Sequence, residues 1–288
     1  MEEKYIRNRS GWEIRIDSAM RELSASERRI ADFLLANPEK VVALSITEVA
    51  DASDTSESTV VRFCHHIGYS GFQDIKIAIA QSEVPSLQVM YEGITEESTI
   101  PEIKKQVFLS SIDAMQDTLK ILSDEELERA VEALYEANKI DIYGMGGSYV
   151  IAEDARHKFL KIGLRCQTYC DSHLQIISAS QLGKGDVAIG ISYSGSSKDV
   201  LEAMELAKKN QATTICITHM AKSPILRYSD IALCVTAKDM MFRSDGIVSR
   251  MAQLAIIDVL YSSVGLKIGK KALEILEDGR QATASKGC

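Results

Sequence analysis

Between residues 140 and 235 one pattern recurs: a short apolar run rich in β-branched residues, then a loop, then in most cases an amphipathic stretch. The runs are 140–143, 187–191, 214–217 and 231–235. Runs this short and this largely apolar on both faces must, as strands, be covered on both sides. Their alternation with helical segments points to a parallel sheet flanked by helices. Val200, Ala203, Met204 and Ala207 supply one such helical stripe, at i, i+3, i+4 and i+7. The segment 247–260 is apolar nearly all round, which predicts a buried helix or a subunit interface.

Two loops in this region carry the chemistry. Gly144-Met145-Gly146-Gly147-Ser148 follows the first run, and Ser192-Tyr193-Ser194-Gly195-Ser196-Ser197 follows the second. Each stands between an expected strand and an expected helix. Glycine lets backbone approach an anion closely, and a helix N-terminus presents N–H groups and a positive dipole end to it. Clustered hydroxyls add donors without adding charge, so a phosphate monoester suits such a place. A dinucleotide site does not: the GxGxxG pattern needs a third glycine where Tyr149 stands, and no acidic residue closes a clear second strand near Leu164-Arg165-Cys166-Gln167. GxxxxGK[ST] is absent, which removes the P-loop.

The first 82 residues read differently, as helices throughout. Ser24-Ala25-Ser26-Glu27 and Ser45-Ile46-Thr47-Glu48 are capping-box patterns. Ile30, Phe33 and Leu34 form one face behind the first, and Pro38 is expected to break that run. A short helix carrying Ile46, Val49 and Ala50, a polar stretch from Asp51 to Ser56, and a helix from Glu57 to about Ile67 have the arithmetic of a helix-turn-helix. Another helix starts near Phe72. In the second helix of the pair, Val60, Phe63, Cys64 and Ile67 make the buried stripe. The opposite face offers Ser58, Arg62 and His65, with Thr59 and His66 alongside and Ser56 as N-cap. Arg62 can donate two hydrogen bonds to guanine or neutralise a phosphate, and Ser58 and Thr59 can touch bases near the helix start. A merely solvated helix face has the same composition.

Charge limits how such a face could work. The whole chain carries −8, and residues 1–82 hold ten Lys/Arg against thirteen Asp/Glu, a net of −3. DNA binding would then rest on a few local cations, namely Arg62, Lys76, His65 and His66. Affinity per monomer would be weak, which favours dimeric binding to a two-fold site. The six cysteines, at 64, 166, 170, 216, 234 and 288, form no CxxC pair, and no histidine pattern completes a zinc site. No metal and no cofactor are expected, and reduced thiols suit a cytoplasmic location. The N-terminal MEEKYIRNRSGW lacks an apolar signal core, and no apolar run of spanning length stands out, so no membrane partner is expected.

From residue 23 the run LSASERRIADFLLANPEKVVALSITEVADASDTSESTVVRFCHHIGYSGFQDIKIAIAQ resembles the N-terminal domain of RpiR-type regulators, most specifically in STVVRFC and GYSGFQDIK. The family usually has Gly in the turn of the helix-turn-helix; Asp54 stands there. GMGGS, ISYSGSSKDVLEAMELAKK and SRMAQLAIIDVLY resemble the landmarks of the sugar isomerase (SIS) domain. That resemblance implies that Ser192, Ser194 and Ser197 hold a phosphate, helped by backbone N–H groups of Tyr193 and Gly195, while Gly147 and Ser148 face the sugar. Ser249 and Arg250 resemble residues near the ligand or a subunit boundary, and Thr218, Ser223 and His173 are further contacts to test.

The expected fold is therefore an all-α helix-turn-helix domain at 1–82, a linker and connecting helix at 83–122, and at 123–288 an α/β SIS-like domain with a parallel sheet flanked by helices. Within the middle part, 83–98 reads as linker and about 101–122 as helix, with Ser123 starting the next one. The implied function is a DNA-binding transcription regulator whose operator binding responds to a phosphorylated sugar, acting as a homodimer or homotetramer through the SIS domain. Two alternatives stand beside it. One is a sugar-phosphate isomerase with a helical appendage, for which Glu153 and His157 are the available bases. The other is a non-catalytic SIS protein working through a protein partner.

Overall fold

The computed structural model describes residues 10–83, 94, 97–219, 222–236 and 249–286. The expected linker at 83–98 lies largely outside them. The described residues divide into two units, between Gln106 and Val107.

The first unit is helical. It contains α1 (Gly11–Ala19), α2 (Ala25–Ala36), α3 (Pro38–Ala43), α4 (Ile46–Ala52), α5 (Glu57–His66) and α6 (Phe72–Glu83). Both capping boxes form: the Ser24 hydroxyl accepts from the Glu27 amide while the Glu27 carboxylate accepts from the Ser24 amide, and Ser45 and Glu48 repeat this at α4. Pro38 breaks the run as expected, α2 stopping at Ala36. It occupies the first turn of α3, where a missing N–H leaves nothing unsatisfied. A single cluster, from Trp12 and Ile16 through Ile30, Leu34 and Val49 to Phe63, Ile75 and Ile79, joins all six helices. The expected stripe of α5 is fully in it: Val60, Phe63, Cys64 and Ile67 are all buried.

The second unit is built on a sheet of β1 (Ile140–Gly144), β2 (Cys166–Thr168), β3 (Val187–Ile191), β4 (Thr213–His219) and β5 (Ile231–Val235). The order is β2-β1-β3-β4-β5 and every pairing is parallel. β2 was not visible as a strand in the sequence. It is three residues at an edge, with only Cys166 buried. The helices are α7 (Ile100–Ile121, whose first turns lie in the other unit), α8 (Asp124–Glu136, capped by Ser123), α9 (Gly147–Lys161), α10 (Ser172–Ala179), α11 (Lys198–Lys209), α12 (Ser249–Ile268) and α13 (Lys270–Thr283).

The two faces of the sheet are unequal, and the period of two in the strands explains how. Ile140, Ile142, Val187, Ile189, Ile191, Ile215, Ile217 and Leu233 point to one face, into a cluster with residues of α8, α9 and α12. Ala188, Cys216 and Tyr143 point to the other, with α11. Where α11 sits close on that second face the strand residue is glycine: a Cβ on Gly190 would come within 2.8 Å of Met204. By length and composition α12 is apolar enough to cross a membrane, which the sequence reading did not flag. Its Ala252, Ile256, Ile257, Leu260 and Val264 are buried in the sheet's larger cluster, while Met251, Val259 and Leu266 are exposed. It also runs eight residues beyond the expected end at 260. Of the described cysteines, Cys64, Cys166 and Cys216 are buried, and desolvation pushes their thiols up to about 12, about 11 and about 12. Cys170, between β2 and α10, is exposed.

Candidate functional site

In the helical unit, α4 and α5 are joined by Ser53–Ser56, and the turn depends on Asp54, at φ +50°. This is the left-handed position for which glycine is usual, and an aspartate tolerates it at modest cost. Arg29 of α2 clamps the turn: its guanidinium donates to the carbonyls of Ser53 (3.1 Å) and Asp54 (2.6 Å) and lies 3.8 Å from the Asp54 carboxylate. Ser56 caps α5 as expected, accepting from the Thr59 amide at 3.3 Å. Its hydroxyl also lies 2.9 Å from that of Ser58 and 2.8 Å from that of Thr59. The start of α5 is thus a small cluster of three hydroxyls.

Ser56, Ser58, Arg62, His65 and His66 lie on the outside of α5, and Thr59 is half-buried. The structure therefore gathers six of the seven expected reading residues on one helix. It does not supply Lys76 as a free cation. The Lys76 ammonium donates to the Leu44 carbonyl at 2.8 Å and sits 5.5 Å from the centre of the Phe72 ring. It ties α6 to the chain ahead of α4, so its charge is engaged inside the unit. His65 Nε2 lies 2.9 Å from the Ser70 carbonyl. Arg62 and His66 both approach a carboxylate that the sequence reading took only as a cap, that of Glu27, at 3.5 Å each.

In the second unit the two loops open side by side. β1 and β3 are neighbours, with Gly144 opposite Ile191, so Met145 and Ser192 leave the sheet from adjacent strand ends. The chain goes from β1 outward to β2, then crosses to β3 on β1's other side. Such a reversal of strand order leaves a crevice at the carboxyl ends of the strands, where ligands of open α/β sheets bind. Gly146, at φ +54°, turns the first loop into α9, placing Gly147 and Ser148 in the helix's first turn. Gln175 of α10, fully buried, holds this loop from behind: its amide donates to the carbonyls of Gly144 (3.1 Å) and Tyr169 (2.7 Å).

In the second loop Ser192 is buried, Ser194 is exposed and Ser197 is the N-cap of α11 without a side-chain cap bond. The Ser194 oxygen accepts from the Ser196 hydroxyl at 3.0 Å. One expectation needs correction. The Gly195 amide donates to the Ser192 carbonyl at 3.1 Å, closing a turn, so it is not a free donor for an anion. The role of Gly195 is shape: at φ +61° it packs on Ser223, and a Cβ there would overlap the Ser223 hydroxyl. The Tyr193 carbonyl accepts from the His219 amide (3.0 Å) and the Thr218 hydroxyl (3.3 Å), and its ring lies 5.1 Å from that of His219. Thr218 and Ser223 are buried supports of the loop rather than open contacts. His173 is exposed in the first turn of α10, Ser249 is buried and Arg250 half-buried at the start of α12.

Glu153, one of the bases considered, accepts from the Tyr149 hydroxyl (2.6 Å) and pairs with Arg156 (2.8 Å). The Tyr149 hydrogen bond is the larger cause holding its carboxyl below the usual range. Sequence alone showed neither Gln175 behind the first loop nor Glu27 behind α5, because both act on residues far along the chain.

Comparison with known proteins bears on both units. The profile of the "Helix-turn-helix domain, rpiR family" matches residues 10–86, and that of the "SIS domain" matches 133–263. An HTH-type transcriptional regulator of Caldanaerobacter subterraneus subsp. tengcongensis is 43% identical, the match covering 91% of this chain and 94% of that protein. The HTH-type transcriptional regulator RpiR of Escherichia coli K12 is 35% identical, over 84% of this chain and 82% of that one. Among solved structures, the NanR protein of Vibrio vulnificus complexed with ManNAc-6P superposes with a TM-score of 0.80 at 27% identity, covering 96% of this chain and all of that one.

Proposed function

The chain belongs to the RpiR family of helix-turn-helix transcriptional regulators that carry a SIS domain, and from that premise we propose that its binding to operator DNA is modulated by a phosphorylated sugar held between the loops after β1 and β3. The observation that carries the ligand half is the pairing of those loops at the sheet's reversal point, with the Ser194 and Ser197 hydroxyls beside the first turn of α11. Hydroxyls and helix-end amides recognise a phosphate without a fixed counter-charge. That NanR was solved with ManNAc-6P supports the same ligand class for this chain.

The sugar phosphate acts as a signal rather than a substrate. An isomerase needs a base of suitable pKa beside the sugar carbons, and Glu153 is made a weaker base, its carboxyl lowered and its two oxygens engaged by Tyr149 and Arg156. On the DNA side, α5 enters the major groove, with Ser56, Ser58, Thr59, Arg62, His65 and His66 as contacts. Residues 1–82 read DNA, 83–122 connect, and 123–288 bind the ligand and assemble the protein into a dimer or tetramer. Two copies of α5 then meet a two-fold operator, and ligand binding shifts the balance between their arrangements. The protein acts in the compartment that holds its DNA.

Mobility-shift titration of the gene's own upstream region, with and without a panel of hexose, amino-sugar and pentose phosphates, tests this. One of them should change operator affinity by tenfold or more. Absence of a DNA complex in every condition would refute the proposal.

A further inference from the structure

Glu27 is a charged residue in an apolar place. It lies on α2 with 4% of its surface exposed, among Ile30, Ala31 and the buried face of α5. Its two carboxylate oxygens do different things. Oε2 accepts from the Ser24 amide at 2.9 Å and the Ser24 hydroxyl at 2.6 Å, which completes the cap. Oε1 has no part in the cap. It lies 3.5 Å from Arg62 Nε and 3.5 Å from His66 Nδ1. Arg62 and His66 are four apart on α5, one above the other on the same face. A capping box is satisfied equally by Glu or Gln. The cap occupies Oε2, and Oε1 is left facing Arg62 and His66.

We propose that Glu27 is a positioning residue of the DNA-reading surface, holding Arg62 by Nε so that the two terminal nitrogens of its guanidinium face outward as a fork for a guanine edge. This rests on the reading of α5 as the helix that enters DNA. Arg62 is 65% exposed, and among the described residues its terminal nitrogens have no hydrogen-bond partner. A free arginine on a helix surface samples many rotamers, and fixing its root lowers the entropy lost on forming two parallel hydrogen bonds. Guanine offers O6 and N7 side by side in the major groove, which fits that fork, whereas a phosphate would be served by the charge alone. His66, held by the same oxygen and 4.0 Å from Glu22, braces the carboxylate from the other side.

The test compares the full-length wild type with Glu27→Gln, Arg62→Ala, the double variant and Arg62→Lys, on operator and on random DNA, with thermal melting alongside. Gln keeps an acceptor for the Ser24 cap but removes the charge. Glu27→Gln should weaken operator binding about tenfold and leave random-sequence binding within twofold, both measured well below the lowered melting temperature that loss of the charged cap brings. In the Arg62→Ala background it should change operator affinity less than twofold. Arg62→Lys leaves Glu27 and its cap untouched and should lose the same discrimination, so the proposal stays testable even if Glu27→Gln folds poorly. Additive losses in the double variant, or wild-type discrimination by Arg62→Lys, overturn it. Wild-type affinity in Arg62→Ala would overturn it while leaving the regulator reading intact; a wild type that binds no DNA at all would remove that reading and this inference together.

Discussion

The outer face of α5 and the loop pair above β1 and β3 are both assigned to phosphate-bearing ligands, and they are built from different materials. On α5 a cluster of hydroxyls at the helix start is joined by an arginine and two histidines, and a buried carboxylate approaches two of these three. In the loops the working groups are hydroxyls, and the shape is set by backbone bonds and glycines. Charges reach several ångströms and are screened by salt. Hydroxyls and helix-end amides act only at contact and depend on shape. A surface that must find one operator among many competing sites gains from the first kind, and a pocket that must tell one small phosphate from another gains from the second. The acidic balance of the helical unit sharpens the contrast, because its cations cannot work by number.

That comparison can be broken, most strongly at the loops. Ser194→Ala together with Ser197→Ala removes two hydroxyl donors to a charged ligand, at about 1.5–3 kcal/mol each. Sugar-phosphate affinity measured by calorimetry should fall a hundredfold or more, with operator affinity in the absence of ligand unchanged. Equal loss of both would mean that the loop shapes the whole protein and is not a separate site.

A smaller effect separates the units by pH. Glu27 is held down to about 2 from 4.5, chiefly by the Ser24 hydroxyl, with further help from the Ser24 amide and His66, while Arg62 stands beside it. A carboxylate depressed in the folded state contributes stability above its unfolded pKa and loses it as pH falls toward its folded one. The helical unit should therefore lose stability between about pH 4.5 and pH 2, and Glu27→Gln should flatten that slope. Acid titration of Trp12 fluorescence, the chain's single tryptophan and a member of that unit's core, would follow it. An unchanged slope in the variant would remove Glu27 from the account.

Smallest is Lys76→Ala. The lost bond to Leu44 should cost the unit about 1 kcal/mol in denaturant unfolding. Operator affinity and its salt dependence should stay as they are, unlike those of Arg62→Ala. A shallower salt slope would return Lys76 to the DNA contacts.

What was legible in the sequence was mostly local. The capping boxes at Ser24 and Ser45, the buried stripe of α5 and the left-handed turn position at Asp54 depend on neighbours a few residues away, and all are found in the structure. β1, β3, β4 and β5 announced themselves because strands covered on both faces are largely apolar on both. β2 did not, since an edge strand of Cys-Gln-Thr needs only one buried side chain. Pro38 ends the α2 run as expected, and it also opens α3, because proline is both a helix breaker and a first-turn residue. The candidate sites divide the same way. Residue types and spacing put hydroxyls in the loops and an arginine on α5. They could not show that Lys76 reaches Leu44, that the Gly195 amide closes on Ser192, or that Glu27 faces Arg62, because each depends on which groups the fold brings together.

The uneven exposure of the thiols has a practical side. Cys64, Cys166 and Cys216 are buried and hold their protons tightly, so little thiolate is present at neutral pH to meet an electrophile. Cys170 lies in the open just ahead of α10, the helix whose Gln175 holds the first loop. A maleimide dye should therefore find Cys170 well ahead of those three, and the fluorophore would sit beside the ligand loops as a reporter that needs no engineered cysteine.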